Sequence, residues 1–393
     1  MDDERPPAGD RVAVRTRPYR HRRRRPLPAA VLAALLALTT THAHAAQTWT
    51  TAPALPTARF GMTAVTAPCP TAARQLKGTC VYVAGGFDGR AALRTTQAYS
   101  PATGVWATLP DMPTARSSLT GAAAPCPQGV ERLKGECVYA IGGNGGSGVL
   151  SAVEAYSPAT GVWAALPGLP TAREALAGAA APCPVGAART QGVCVYAMGG
   201  FRDGAGRDTV EAYSPRTGAW TALPALPTAR FAPAGAAAPC PDAEEHTCVY
   251  VIGGRDSGGF QNRVETFRPA TGTWATAPAL PTARDAMAVA VAPCPPTAGA
   301  RRPGCVYTAG GFRGTDGLRT AEVFGLVRGG WAALPALPTG RYELAGTGAP
   351  CPGAVERTCV YAIGGHDGGG LLSVVEVLGA GRQSGVTGSR RGG

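Results

Sequence analysis

From Trp49 to Leu378 the chain alternates short apolar runs with breaks rich in Gly, Pro and Ser. One unit runs from Ala172 to Ala181, breaks at Pro182 and Cys183, resumes as Cys194 Val195 Tyr196 Ala197 Met198, and breaks again at Gly199 and Gly200. Two more runs follow, Val210 to Tyr213 before Ser214 and Pro215, and Ala219 to Leu223 before Pro224. Short apolar runs bounded in this way are strands, called here a, b, c and d. Their apolar residues occupy both alternating faces, so each sheet is expected to be covered on both sides by neighbouring sheets.

The unit recurs. Trp49, Trp106, Trp163, Trp220, Trp274 and Trp331, and the Gly pairs that begin at Gly85, Gly142, Gly199, Gly253, Gly310 and Gly364, repeat every 54 or 57 residues. Every Trp and every Cys falls on this grid, which leaves none for a separate active site. Four strands repeated six times around an axis bury both faces of every sheet, so the fold class is all-β: a six-bladed β-propeller spanning residues 46–378. This region opens on a d-type segment, Gln47 to Thr50, and ends on a c-type segment, Ser373 to Val377. The N-terminal strand is therefore expected to complete the last blade and close the ring.

The repeat resembles the Kelch family. Its hallmarks match Tyr82, Gly85, Gly86, Tyr99, Thr103, Gly104 and Trp106, and again Tyr139, Gly142, Gly143, Tyr156, Thr160, Gly161 and Trp163. The last two repeats are degenerate, with Phe324 and Leu378 in place of the strand-c Tyr and Leu326 to Gly330 in place of the usual turn. The resemblance implies that ligands bind on the rim formed by the b–c and d–a loops.

The cysteines pair along the grid as Cys69 with Cys80, Cys126 with Cys137, Cys183 with Cys194, Cys240 with Cys248, Cys294 with Cys305, and Cys351 with Cys359. Each pair spans the mouth of an a–b hairpin, where opposed residues lie within disulfide reach, so six within-blade disulfides are expected. Zinc would need four converging ligands. Each blade offers two thiols, and beyond residue 45 the only histidines are His246 and His366. No metal and no cofactor is expected.

Residues 1–45 read as a secretory signal peptide, with a basic run from Arg20 to Arg25, an apolar stretch from Leu27 to Leu38, and a small-x-small site at Ala43 His44 Ala45. The apolar stretch is too short to cross about 30 Å of hydrocarbon, so no stable membrane insertion is expected after cleavage. The protein is expected to be secreted and monomeric. The whole chain carries +12, and nine Arg against four acids in the leader leave +7 for the rest. That charge is spread through the repeats with no aromatic stacking platform, which argues against nucleic acid and leaves an extracellular protein or glycan as partner. Gly379 to Gly393 reads as a disordered Gly- and Arg-rich tail.

The repeat leaves some positions free, and the candidate ligand site lies among them. After the d–a arginines Arg59, Arg116, Arg173, Arg230, Arg284 and Arg341 stand Phe60, Ser117, Glu174, Phe231, Asp285 and Tyr342. After the Gly pairs stand Phe87, Asn144, Phe201, Arg255, Phe312 and His366, beside charged loop tips such as Asp256 and Asp367. Aromatics near charges suit a peptide anchor or sugar stacking. The arginines themselves, with Gln97, Glu154, Glu211, Glu265, Glu322 and Glu376 on strand c, recur too evenly for catalysis and read as a structural network.

A non-enzymatic binding module is the main expectation, and no catalytic residue is assigned. The alternative is a carbohydrate-active propeller such as a sialic-acid mutarotase, using Glu174 and Asp285 as acid and base with Arg255 for the substrate carboxylate. Glu174 and Asp285 stand two blades apart, and nothing in the sequence brings them together.

Overall fold

The computed structural model describes residues 47–185, 192–241, 246–295, 304–325 and 329–382, and every regular element among them is a β-strand. The expected leader, residues 1–45, lies outside the described residues, as do residues 326–328 and 383–393. No helix among the described residues is long and apolar enough to cross a membrane.

Blade 1 is built from strands a (Thr63–Pro68), b (Thr79–Ala84), c (Thr96–Ser100) and d (Val105–Leu109), paired antiparallel in that order. Blades 2 to 5 repeat the arrangement, their a strands starting at Thr120, Ala177, Ala234 and Ala288. Blade 6 takes a, b and c from Ala345–Cys351, Ala354–Ile363 and Val375–Arg382, and its fourth strand, Trp49–Ala52, from the other end of the propeller. Trp49 faces Leu378 there, the register in which Tyr99 faces Trp106 and Tyr156 faces Trp163. Closure by the N-terminal strand thus has the geometry of an ordinary blade.

Three details differ from expectation. The last c strand runs on to Arg382 through a bulged pairing with Arg357, so the boundary at 378 falls four residues early. The strand-c Tyr is already replaced in blade 4, where Phe267 faces Trp274. The b–c loops of blades 3 and 4 also form small hairpins of their own, Phe201–Arg202 with Ala205–Gly206 and Arg255–Asp256 with Gly259–Phe260.

The a strands converge on the axis and line a cavity of about 460 Å³ with small and hydroxyl side chains, including Thr63, Thr66, Thr120 and Thr347. Crowding there explains the Gly- and Ala-rich composition of these strands. A Cβ on Gly235 would stand 2.6 Å from the Gly178 carbonyl oxygen of the neighbouring blade. Farther out, each Trp indole N–H donates to a Pro carbonyl of the preceding blade, as in Trp106 to Pro53 at 2.9 Å, Trp163 to Pro110 at 3.0 Å and Trp49 to Pro335 at 2.7 Å. The indole therefore stitches blade to blade, and in blades 1 to 5 its ring packs on the facing strand-c aromatic.

The d–a arginines are fully buried. Five of them pair with a strand-c glutamate, among them Arg173 with Glu211 at 2.6 Å, Arg284 with Glu322 at 2.6 Å and Arg341 with Glu376 at 2.8 Å. Guanidinium hydrogens also reach backbone carbonyls of the Gly-pair segment, such as Gly85 from Arg59 and Gly199 from Arg173. This is the structural network expected from the repeat, because a buried charge must be neutralised and hydrogen-bonded. Blade 1 is the exception, where the neutral Gln97 amide oxygen stands in place of the carboxylate, 2.6 Å from Arg59. Burial, opposed only by the distant charge of Asp88, pushes Arg59 down to about 10.

All six disulfides form as paired from the sequence, with Cα atoms 4.8 to 4.9 Å apart, and no cysteine is free among the described residues. The cysteines are not directly opposed, however. Cys80 faces Ala67 in the ladder, and Cys69 lies two residues beyond Ala67, so the bridge crosses the hairpin mouth diagonally.

Two outcomes test this architecture. Deleting Gln47 to Ala52 is expected to lower the melting temperature by roughly 10 °C or more, since an unpaired edge and a lost blade-to-blade indole bond remain; an unchanged transition in calorimetry would contradict the closure. Gln97→Glu is expected to raise stability near neutral pH by about 1–3 kcal/mol by giving Arg59 the carboxylate its five counterparts have, measured by urea unfolding.

Candidate functional site

The two sets of variable residues read from the sequence meet in pairs. Phe60 bridges to Phe87, Ser117 to Asn144, Glu174 to Phe201, Phe231 to Arg255, Asp285 to Phe312 and Tyr342 to His366. Each pair exchanges two backbone hydrogen bonds, for example Phe231 N–H to Arg255 O at 2.9 Å and Arg255 N–H to Phe231 O at 2.8 Å. All twelve residues therefore stand on one rim, the d–a residue toward the axis and its b–c partner outside it.

Inside these pairs runs a feature that sequence reasoning did not find. The next residue in each blade is Gly61, Ser118, Ala175, Ala232, Ala286 or Glu343, and all six have left-handed backbone, with φ between 48° and 62°. Their N–H groups donate around a closed circuit: Ser118 to Gly61, Ala175 to Ser118, Ala232 to Ala175, Ala286 to Ala232, Glu343 to Ala286 and Gly61 to Glu343, at 2.6 to 3.0 Å. The circuit encircles the channel mouth. A signal for it exists in the sequence, because the second residue after every d–a arginine is small except in the last blade.

That exception is Glu343. Its Oε2 lies 3.7 Å from where a Cβ on Gly61 would stand and is shut off from solvent without a hydrogen-bond donor among the described residues. Burial, then the neighbouring charges of Asp285 and Glu174, push the Glu343 carboxyl up to about 7. Asp285 is 7% exposed, and burial lifts it to about 6 against the opposing charge of Arg255. Glu343, absent from the candidate residues, lies within electrostatic reach of both Glu174 and Asp285. No cluster of three metal-ligating side chains close enough to hold an ion occurs among the described residues.

Around this acidic centre the aromatic side chains form a continuous arc. Ring centroids are separated by 5.5 Å from Phe87 to Phe60, 6.0 Å from Phe60 to His366, 5.3 Å from His366 to Tyr342, 4.9 Å from Tyr342 to Phe312 and 5.7 Å from Phe312 to Phe260. Arg255 caps its end, 4.9 Å over Phe260. A separate pair, Phe201 and Phe231, sits 5.1 Å apart. Phe260 was not among the candidates because it lies beyond the glycines of its loop instead of directly after the Gly pair. Several charged tips serve their own loops: Asp88 accepts from the Arg90 and Ala91 amides, Asp367 from Gly369 and Gly370, and Asp256 from Gly258.

The raised Glu343 carboxyl carries a stability consequence. An acid whose folded pKa is above its unfolded value binds its proton more tightly when folded, so the protein loses stability as pH rises from about 4.5 through about 7. Glu343→Gln removes that loss. At roughly 1.4 kcal/mol per unit, the substitution is expected to stabilise by up to about 3 kcal/mol at about pH 8 and by progressively less toward about pH 4. Equal effects of the substitution at both pH values would contradict the placement of Glu343.

Comparison with known proteins agrees with the geometry. Residues 77–113, 134–170, 187–227 and 246–281 match the Kelch motif. Kelch-like protein 35 of Mus musculus is 28% identical over 205 residues, 51% of this chain, and the chain spans 30% of that protein's length. The four matched stretches fall on blades 1 to 4, and blades 5 and 6 repeat the same strand order, buried arginine and indole bond without a match of their own. With one blade plan carried through all six repeats, the chain is a six-bladed propeller that carries Kelch motifs.

Proposed function

We propose that this is a secreted, non-enzymatic propeller that binds a protein ligand through the rim of its b–c and d–a loops. The observation that carries the reading is the aromatic arc from Phe87 to Phe260, which spans four blades of that rim. Large rings with few rotatable bonds supply contact area at low entropic cost, and such residues dominate binding energy at protein interfaces. Backbone bridges on both sides hold the rings in place before any ligand arrives, which lowers the ordering cost of binding. The opposite rim carries the disulfide-closed hairpins, consistent with an oxidising compartment. That chemistry and the basic, apolar, small-residue order of residues 1–45 support secretion.

The carbohydrate-active alternative draws support from the raised carboxyls of Asp285 and Glu343, since acids poised near neutrality suit proton transfer. Ring-opening of sialic acid that disappears in Asp285→Asn would favour it.

The two readings separate on paired arrays of displayed peptides and of glycans, probed with the protein and with a Phe60→Ala, Tyr342→Ala double variant. Both rings pack on His366, so the double variant opens the middle of the arc. Peptide binding weakened about tenfold or more by the double variant, and unaffected by Val355→Ala on the far rim, is the expected result. Glycan binding alone, or peptide binding indifferent to the two rings, would overturn it.

A further inference from the structure

The rim described above is aromatic, but its centre is acidic and unsatisfied. Glu343 projects from the hydrogen-bonded circuit, whose other five members are Gly, Ser or Ala, so no neighbouring side chain of that circuit fills the mouth. Its Oε2 is buried without a donor among the described residues. Asp285 is more than nine-tenths buried and feels the charge of Arg255. Glu174 lies across the circuit and completes the set. Buried carboxylate oxygens without donors are expensive to maintain. A ligand that brings donors and positive charge removes that cost.

The kind of cation is narrowed by two observations. The acids do not converge tightly enough for a metal ion among the described residues, so the cation must be broad enough to reach acids set apart. Phe60, Tyr342 and Phe312 stand on the rim around the mouth, and aromatic rings attract a weakly hydrated organic cation. A guanidinium is planar, carries five donors and stacks on aromatic faces, whereas an ammonium is compact and strongly hydrated.

We propose that the channel mouth is a receptor for an arginine side chain of the protein ligand, held by Glu343, Asp285 and Glu174 with aromatic flanking. The proposal rests on the reading of this rim as a protein-binding surface. It assigns that surface a chemical preference: one arginine directed at the axis, with the aromatic arc taking the residues around it. The Arg255 guanidinium, which already neutralises part of the Asp285 charge, stands outside the mouth over Phe260, and among the described residues no cation pairs with Glu343.

Binding and protonation are then linked. Glu343 gains its charge as pH rises through about 7, so affinity for a guanidinium increases over that range. The titratable and charged groups around it are Asp285 and Glu174 at the mouth, Arg255 beside Asp285, Tyr342 on the adjacent position, and His366 and Asp367 in the loop behind Tyr342.

N-acetyl-arginine amide is the probe, titrated into the whole protein by calorimetry or ligand-observed NMR. N-acetyl-citrulline amide serves as its neutral isostere. Saturable binding of the arginine probe is expected, with citrulline about tenfold weaker or worse. Arginine affinity should rise between about pH 6 and about pH 8, and Glu343→Gln should cut it about tenfold and flatten that rise. Asp285→Asn should weaken it while preserving the rise, which guards against misreading a single unstable variant. Citrulline bound as well as arginine, or arginine bound equally by wild type and Glu343→Gln, would overturn the proposal. These outcomes stand apart from the array result: peptides selected without arginine would refute the arginine receptor and leave the protein-binding rim intact, whereas arginine binding with no peptide selected would do the reverse.

Discussion

A ring of blades closes only if the last blade meets the first with the same geometry as every other neighbouring pair, and two circuits of backbone hydrogen bonds impose that condition here. The inner circuit runs from Gly61 through Glu343 and back. The outer one joins the second glycine of each Gly pair to the d–a arginine carbonyl of the next blade, from Gly86 to Arg116 and onward until Gly365 reaches Arg59. The inner circuit requires left-handed backbone, which costs a non-glycine residue about 1 kcal/mol. Five of the six residues accept that strain. Each does so because its amide has a carbonyl to meet and its carbonyl an amide, and relaxing one link would leave two polar groups unpaired at the axis.

The buried arginines belong to the same design. Their side chains reach the carbonyls of the Gly-pair segment and a strand-c carboxylate, while their own carbonyls accept from the preceding blade. One residue thus ties strand c, the b–c loop and the adjacent blade together. A charge in that position cannot be exposed without breaking all three, which is why it recurs so regularly and why it is unsuited to bind a ligand. The binding chemistry lies one and two residues further on, at positions that the circuits fix in space but leave free in identity.

Much of this was legible in the sequence because the repeat is strict. Strand order, blade number, disulfide pairing, ring closure and the structural role of the arginines follow from spacing and from residue types that have few physical uses. The candidate rim was legible as a set of variables, and the twelve residues stand together on that rim. The pairing of the two sets was not visible, since it depends on where each loop turns back. Glu343 was not legible because the second position after each arginine is small in five blades and gains meaning only from its left-handed, axial backbone. Phe260 escaped because a small hairpin, Arg255–Asp256 with Gly259–Phe260, folds it back under Arg255. The run-on of the last strand to Arg382 had no apolar signal, because its final residues pair through their backbone.

The pairing of Trp49 with Leu378 also sets an order of events for the growing chain. Contacts this distant in sequence carry a large loop-closure cost and form late. The cysteines of each bridge are only 8 or 11 residues apart, so each hairpin can be locked as it emerges, long before the ring can shut. The first strand finds its partner only when the last c strand is present, after every cysteine of the six bridges in sequence. The covalent links are thus local to each blade, whereas the joint that shuts the ring joins the segments most distant in sequence.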